Sequence, residues 1–121
     1  MPESAAVVSI HPYFKVKPGK LEAFKAVLPA IVRAVSNETK CAYFDFTLSG
    51  DTVYCREAYY GADGVLEHVA NVSPLLPSLF ALADLQRIEV HGPAEELEKL
   101  KTSPLANLKP VWFTQIAGLN R

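Results

Sequence analysis

Residues 41–60, CAYFDFTLSGDTVYCREAYY, contain the pattern that decides the fold. On both sides of Gly50-Asp51, aromatic and β-branched residues alternate with polar ones, which is typical of half-buried strands. A two-residue link that contains glycine joins such strands as a tight hairpin, and the order Gly-Asp favours a turn with the glycine first. We therefore predict two antiparallel strands, at 41–49 and 52–60.

The segments that flank this hairpin predict further strands and helices on each side. Apolar residues alternate in the strands and recur every three or four positions in the helices. The predicted strands lie at 5–16 and 85–91, and the predicted helices lie at 20–36, at 62–72 and shortly after Ser73-Pro74. Pro12 cannot donate a ladder hydrogen bond, so the first strand needs an edge or a bulge there. The order β-α-β-β-α-β predicts a ferredoxin-like α+β fold, an antiparallel sheet with helices on one face.

Length and composition fit a single domain over residues 1–121. Half of the residues are apolar and 21% are charged, which suffices for a core without disulfides or a metal. We expect the core of the domain at 6–92. Residues 93–121 are expected to form an extension, with a short charged helix at 94–101 and a fifth strand at 111–116.

Charge and motif content argue against several classes of protein. The 12 basic and 13 acidic residues give a net charge of −1 without a basic patch, so no nucleic-acid partner is expected. The apolar stretches are too short to span a bilayer and the first residues do not resemble a signal peptide, so we expect a cytoplasmic protein with no membrane partner. The sequence contains no Gly-rich phosphate loop, G-x-S-x-G motif or metal-ligand cluster, and we expect neither cofactor nor metal.

The two cysteines, Cys41 and Cys55, lie in the predicted hairpin strands. Their spacing fits neither a metal site nor a C-x-x-C motif. We expect two buried, reduced thiols. A disulfide between them stays open as an alternative if the two strands are neighbours.

One face of the predicted sheet is too rich in aromatic and apolar side chains to remain bare. It carries Val7, Tyr13, Tyr43, Tyr54, Ala58 and Tyr60. We expect a second copy to cover it, which gives a homodimer through the sheet face. The last strand is a candidate for exchange with the partner or addition to it, with Trp112 as an anchor at the contact. The same face is expected to carry His11, His91 and an ion pair between Arg56 and Asp45.

Three short motifs resemble the antibiotic biosynthesis monooxygenase family. The family's K-P-G-k…F opening is similar to Lys17-Pro18-Gly19-Lys20 followed by Phe24. Its E-x-G-x-x-x-Y segment resembles Glu38 before the strand at 41–48. Its E-x-W…H segment resembles Glu57, Tyr59 and His68. The similarity covers roughly residues 6–92. It implies a dimeric α+β barrel and oxygenation of quinol-like or polyketide aromatic substrates, often without metal, flavin or haem.

The chain departs from the family pattern at several motif positions. Lys40 stands where the family often has Gly, Phe44 where it often has Tyr, and Tyr59 where it often has Trp. The haem-degrading branch of the family uses an Asn on the first strand together with a Trp and a His. Pro12 falls near that Asn position, so we do not expect haem degradation.

The resemblance implies that one face of the third strand looks toward the helices and a small-molecule pocket. Alternation places Cys55, Glu57 and Tyr59 on that face. Phe14, Phe44 and Phe46 are expected to line the same pocket from the neighbouring strands. His68, on the following helix, is the first candidate for a general acid and base, because an imidazole titrates near neutral pH. Glu57 would orient His68 or a substrate hydroxyl, and Tyr59 would stack on or hydrogen-bond the substrate.

Structural roles stay open for each of these residues. His68 and Glu57 can pair simply to stabilise the fold, and Tyr59 can be a core tyrosine with a satisfied hydroxyl. The two hypotheses are therefore a cofactor-independent monooxygenase for a small aromatic or quinol-type molecule, and a non-catalytic binding or structural dimer of the same fold. An enclosed cavity reached by His68 and Tyr59 favours the enzyme. A pocket filled by Phe14, Phe44, Phe46 and Phe80 favours the inert protein.

Overall fold

One five-stranded sheet organises residues 6–119, which are the residues described by a computed structural model of the chain. The strands are β1 (Val7–Val16), β2 (Cys41–Ser49), β3 (Thr52–Tyr60), β4 (Ala83–Gly92) and β5 (Val111–Thr114). The helices are α1 (Leu21–Val35), α2 (Gly61–Val72), α3 (Leu76–Phe80) and α4 (Ala94–Leu100), with 3-10 turns at Ser73–Leu75 and Pro104–Leu108. None of the helices in this part of the chain is long and apolar enough to cross a membrane.

The sheet has the strand order β2-β3-β1-β4-β5. The first four strands pair antiparallel, and β5 pairs parallel with β4 at the edge. The helices cover one face, so the predicted ferredoxin-like α+β fold is confirmed. The turn at Pro104–Leu108 was not predicted, and β5 ends two residues earlier than expected.

The central hairpin has the predicted bounds. Ser49 pairs with Thr52 across the turn, and Gly50 has a φ of 62°. Only the first of the two turn residues has a positive φ, as the Gly-first order predicts. The glycine therefore sets the register that brings the pocket-facing residues of β2 and β3 side by side.

Pro12 lies in the central strand of the sheet and not at an edge, because β1 pairs with both β3 and β4. The ladder between β1 and β4 shifts register between Tyr13 and Phe14. A bulge is one of the few places where a sheet interior accepts proline. Of the two alternatives that the sequence left open, the bulge is the one that occurs.

The expectation that Trp112 anchors a partner chain needs correction. Its indole packs on the core of its own chain, with the ammonium of Lys101 5.9 Å from the ring centroid. Phe113, its neighbour in β5, stacks on His91 at 4.4 Å between ring centroids. Side chains alternate along a strand, so Phe113 and not Trp112 faces the outer side of the sheet.

The core between sheet and helices forms two clusters of buried side chains. One cluster includes Val8, Tyr59 and Leu97, and the other includes Phe24 and Val53. Helix α2 approaches the sheet closely at Gly64. A Cβ atom at this position would lie 3.0 Å from Cβ of Lys40 and 3.1 Å from both its carbonyl oxygen and Cβ of Tyr59. The glycine therefore sets the distance at which α2 packs on the sheet.

Replacing Gly64 by alanine is expected to destabilise the protein, although alanine normally stabilises a helix interior by up to about 1 kcal/mol relative to glycine. The new methyl group would meet backbone and Cβ atoms, which yield less than the end of a flexible side chain, so we expect a net loss of about 1–2 kcal/mol in the free energy of unfolding. Urea denaturation measures this loss. Ser78→Ala, at an exposed position of α3, serves as the control and should change stability by less than about 0.5 kcal/mol. A stabilised Gly64→Ala variant would contradict the close approach.

Candidate active site

A cavity of about 200 Å³ lies between the sheet and the helices, where the two core clusters meet. The four residues predicted to form a pocket, Phe14, Phe44, Phe46 and Cys55, all line it. Most of the remaining lining is apolar and comes from β1, β4, α1, α2 and α3. In the part of the chain that the structure describes, the wall contains one carboxylate, that of Glu57, and one imidazole, that of His68. The aromatic side chains therefore surround an open space and do not fill it.

His68 lies on α2 with its ring between two carboxylates. Nδ1 is 2.9 Å from Oε2 of Glu38, and Nε2 is 3.2 Å from Oε1 of Glu57. A neutral imidazole has a single N–H, whereas the imidazolium form presents a donor on each nitrogen. The positions of the two carboxylates therefore favour the charged ring.

The pKa of His68 reflects two opposing influences. Burial alone lowers the pKa, because it disfavours the charged ring, whereas the hydrogen bonds and negative charges of Glu57 and Glu38 raise it. The carboxylates prevail and the net pKa lies above the ordinary value of 6.5. The two carboxylates therefore stabilise the protonated form of the ring, which is the form that can act as an acid.

Glu57 is the carboxylate that a bound molecule would meet. It lies on β3, is only 5% exposed, and forms part of the cavity wall. Its Oε1 accepts a hydrogen bond of 2.6 Å from the hydroxyl of Tyr59 and also faces His68. A buried carboxylate is costly unless it is paired, and these two partners compensate for its loss of hydration.

The hydroxyl of Tyr59 holds the carboxylate of Glu57 in position by a hydrogen bond. The side chain is fully buried and is not part of the cavity wall, so it does not stack on a bound molecule as the sequence had suggested. Burial and the nearby charge of Glu57 both raise the pKa of its hydroxyl, which therefore stays protonated and donates. Burial and the same charge raise the pKa of Cys55, so its sulfur lines the cavity as a thiol.

Glu38 is a site residue that the sequence did not single out beyond its place in a motif. It follows the end of α1, and its side chain is 2% exposed. Besides facing His68, its Oε2 accepts a hydrogen bond of 2.8 Å from the amide of Asn71, which also donates to the carbonyl of Ala34. The 30 residues that separate Glu38 from His68 explain why spacing could not reveal the pair.

Both cysteines are free thiols. Cys41 pairs with Tyr59 across the hairpin and Cys55 pairs with Phe46, so the two do not face each other. The disulfide alternative is therefore wrong for this structure. Cys41 is only partly buried, in contrast to the expectation, and burial together with the charge of Glu38 raises its pKa to about 11.

The outer face of the sheet carries the groups that were assigned to it. Arg56 and Asp45 form an ion pair of 3.0 Å, as predicted. His11 accepts or donates a hydrogen bond of 2.6 Å with the hydroxyl of Tyr54, and its ring centroid is 4.5 Å from that of His91. These residues lie on the side of the sheet opposite to the cavity.

Comparisons with known proteins relate the chain to several solved structures. No protein-family model matches the sequence, and no curated protein matches it either. The crystal structure of MupZ from Pseudomonas fluorescens is 40% identical over 95% of this chain and 94% of its own, with a TM-score of 0.89.

Two more distant structures share the fold. SnoaB, a cofactor-independent oxygenase from Streptomyces nogalater, is 14% identical, with a TM-score of 0.62 over 71% of this chain and 91% of its own. A candidate antibiotic biosynthesis monooxygenase from Chloroflexus aurantiacus is 15% identical, with a TM-score of 0.60 over 73% of this chain and 93% of its own. At these identities the likeness concerns the fold alone.

Replacing Glu38 by glutamine should lower the pKa of His68, because it removes one of the two negative charges that hold the proton on the ring. A group whose pKa is higher in the folded state than in the unfolded state stabilises the fold. This stabilisation is fully present below the pKa of the unfolded state, near 6.5, and is lost as the pH rises through the pKa of the folded state. The stability deficit of Glu38→Gln should therefore be largest in mildly acidic solution and shrink at higher pH. NMR titration of the His68 ring and urea denaturation across that range measure both effects. An unchanged titration midpoint would contradict the pairing.

Proposed function

The chain belongs to the antibiotic biosynthesis monooxygenase family, and we propose that it oxygenates a small aromatic or quinol-type molecule in this cavity without a cofactor. The observation that supports the proposal is a carboxylate–imidazole pair at the wall of a largely apolar cavity. Glu57 and His68 lie 3.2 Å apart there. The fold is shared with SnoaB, and because fold and activity are separable, the proposal rests on the residues of the site.

Glu57 is the base in this proposal and His68 is its charged partner. The carboxylate removes a proton from a substrate hydroxyl or activated CH2 group, and the imidazolium stabilises the negative charge that results. Tyr59 is a positioning residue, since it reaches the substrate only through Glu57. The apolar walls keep water away from the pair and thereby strengthen its electrostatic effect on the bound molecule.

The electron-rich anion supplies the electrons that reduce dioxygen. For a hydroxylated anthrone, deprotonation of the CH2 group gives a carbanion that transfers an electron to O2, and the carbon radical and superoxide combine to a peroxide anion. This anion takes back the proton that the base removed and becomes a hydroperoxide. Removal of the remaining C–H proton then breaks the O–O bond, and the departing hydroxide takes up that proton to give water. One CH2 group and one O2 thus become one carbonyl and one water, and the protein contributes only proton transfer and electrostatic stabilisation.

A second candidate uses the same residues without oxygen. A base and an acid at 3.2 Å from each other can remove a proton from one atom of a substrate and return one to another, which amounts to an isomerisation. A purely structural dimer would need neither an open cavity nor ionisable groups at its wall. A non-catalytic binding dimer would need the cavity, and only the absence of turnover distinguishes it from the two catalytic candidates.

Oxygen consumption with a panel of quinols and hydroxylated anthrones tests the proposal. Glu57→Gln and His68→Ala should each lower kcat by about 100-fold or more, and Tyr59→Phe should lower it by about tenfold, because general acid–base catalysis contributes on the order of 10²–10⁴. Leu66→Ala, at an exposed position of α2 outside the cavity wall, is the control and should retain full activity.

The same panel separates the three functions. Turnover that continues without oxygen would support the isomerisation and overturn the oxygenase. Binding without turnover under any condition would support the non-catalytic protein. An active Glu57→Gln variant would contradict the assignment of the base.

We also propose that a second copy of the chain covers the outer face of the sheet. Large apolar side chains remain exposed there, namely Tyr43 at 42%, Tyr60 at 46%, Val111 at 43% and Phe113 at 39%. Charges of both signs lie among them in the Arg56–Asp45 and Arg87–Glu89 pairs, so the face can meet its own copy without net repulsion. A self-complementary patch is what a twofold dimer requires.

A charge placed on this face should dissociate the dimer. Val111→Lys and Tyr60→Lys are expected to raise the dimer dissociation constant by at least tenfold, because each buries a new ammonium group. Sedimentation velocity measures the change. Val32→Lys is the matched control, since Val32 is a valine of similar exposure, 45%, on helix α1. A wild-type protein that sediments as a monomer would overturn the proposal.

A further inference from the structure

The turn at Pro104–Leu108 packs against the core. Ser103 caps it by accepting a hydrogen bond from the amide of Leu105, and donates its own hydroxyl to the carbonyl of Leu100 at 2.6 Å. Leu105 is 3% exposed and belongs to the core cluster that includes Leu100. The turn closes at Lys109, whose amide donates to the carbonyl of Ala106. The segment is therefore packed onto the core and closed by its own hydrogen bonds.

Three side chains of this turn line the cavity. They are Pro104, Leu105 and Leu108. Pro104 and Leu108 are also exposed, as is Ser73 across the cavity. A residue that lines a cavity and is also exposed lies where the cavity meets solvent. The opening is therefore bounded by the 3-10 turn after α2 on one side and by Pro104 and Leu108 on the other.

The ionisable groups of the cavity come from β3 and α2, and the turn at Pro104–Leu108 contributes apolar groups. Glu57 and His68, which are almost fully buried, present charge from β3 and α2, whereas the turn presents only hydrocarbon. A ligand that places a hydroxyl at Glu57 must therefore place an apolar remainder near Leu108. A volume of about 200 Å³ lies below the roughly 300–1,000 Å³ of drug-sized sites, so the walls should discriminate between ligands that differ by a few carbons.

Some smaller structures of this fold match only part of this chain. SnoaB and the Chloroflexus protein match with more than 90% of their own length but cover only 71% and 73% of this chain. The unmatched share of this chain is similar in length to residues 93–121, although shorter matches elsewhere would give the same figure. A core of 6–92 would supply Glu57 and His68 but would leave this side of the cavity without its wall.

We propose that Pro104 and Leu108 select the substrate by the length of its apolar part, so that residues 93–121 determine which molecule reaches Glu57. The inference rests on the proposed function in that it takes the cavity as the substrate site. The class of ligand is a molecule with one hydroxyl at the buried end and an aliphatic or alkyl-aromatic tail toward the opening. Leu108 is then a specificity residue that does not touch the reacting atoms.

Calorimetric titration with 4-alkylphenols, from 4-methylphenol to 4-hexylphenol, tests this selection. For the wild type, the dissociation constant should fall by about fourfold for each buried methylene group. Leu108→Ala should bind 4-methylphenol as the wild type does and bind the longer phenols at least fivefold more weakly. Leu108→Trp should shift the preference toward the shorter members. Leu66→Ala is the matched control, because Leu66 is 37% exposed and Leu108 is 36% exposed, and its profile should equal that of the wild type.

The outcomes separate this inference from the proposed function. A chain-length profile that is identical in the wild type, Leu108→Ala and Leu108→Trp would overturn the selection, whatever the activity of the protein. A Leu108-dependent profile in a protein that consumes no oxygen would support the selection and overturn only the oxygenase. A wild type that binds none of the phenols would overturn the selection, and the oxygenase would still be judged by oxygen consumption with quinols and anthrones. Thermal melts by circular dichroism check that the variants are folded, which we expect because Leu108 is exposed.

Discussion

The candidate site depends on a histidine held between two buried carboxylates. Three elements that are distant in sequence meet there, since Glu38 follows α1, Glu57 lies on β3 and His68 lies on α2. Removing one partner from such a group would leave an uncompensated charge in a low-dielectric interior, at a cost of about 3–5 kcal/mol. The packing of α1 and α2 on the sheet must therefore satisfy the geometry of the charges as well as the apolar core. The close approach at Gly64 is one means by which it does so.

The pKa of His11, on the outer face of the sheet, shifts in the opposite direction to that of His68. Burial lowers the pKa of His11, and the nearby charge of His91 lowers it further, whereas the pKa of His68 is raised despite its burial. The difference comes from the two carboxylates that contact His68. His11 has Ser9 and Tyr54 as its hydrogen-bond partners instead. The same type of side chain thus has a lowered pKa on one side of the sheet and a raised pKa on the other.

Much of the architecture could be predicted from local pattern, because the deciding interactions are local. Alternation in the hairpin and the position of Gly50 set the bounds of β2 and β3, and the residues that share a face with Glu57 follow directly. Glu38 could not be predicted as a partner of His68, because only tertiary packing brings them together. Trp112 was misassigned for the same reason, since a short edge strand can direct either of its faces to the core.

Many of the side chains that line the cavity also belong to the two core clusters, so ligand binding and stability depend on the same residues. Ile10 and Ile88 of one cluster and Phe14 and Ile31 of the other line the cavity, so its walls are also the core of the protein. Such walls are close-packed and cannot adapt freely to different ligands. Variation in the ligand is then easiest to accommodate where the cavity meets solvent, because an exposed side chain can change without loss of core packing. Leu108 is a residue of this kind, whereas Phe14 and Ile31 are buried. Selection at the opening and proton transfer at the buried end can therefore vary independently within one fold.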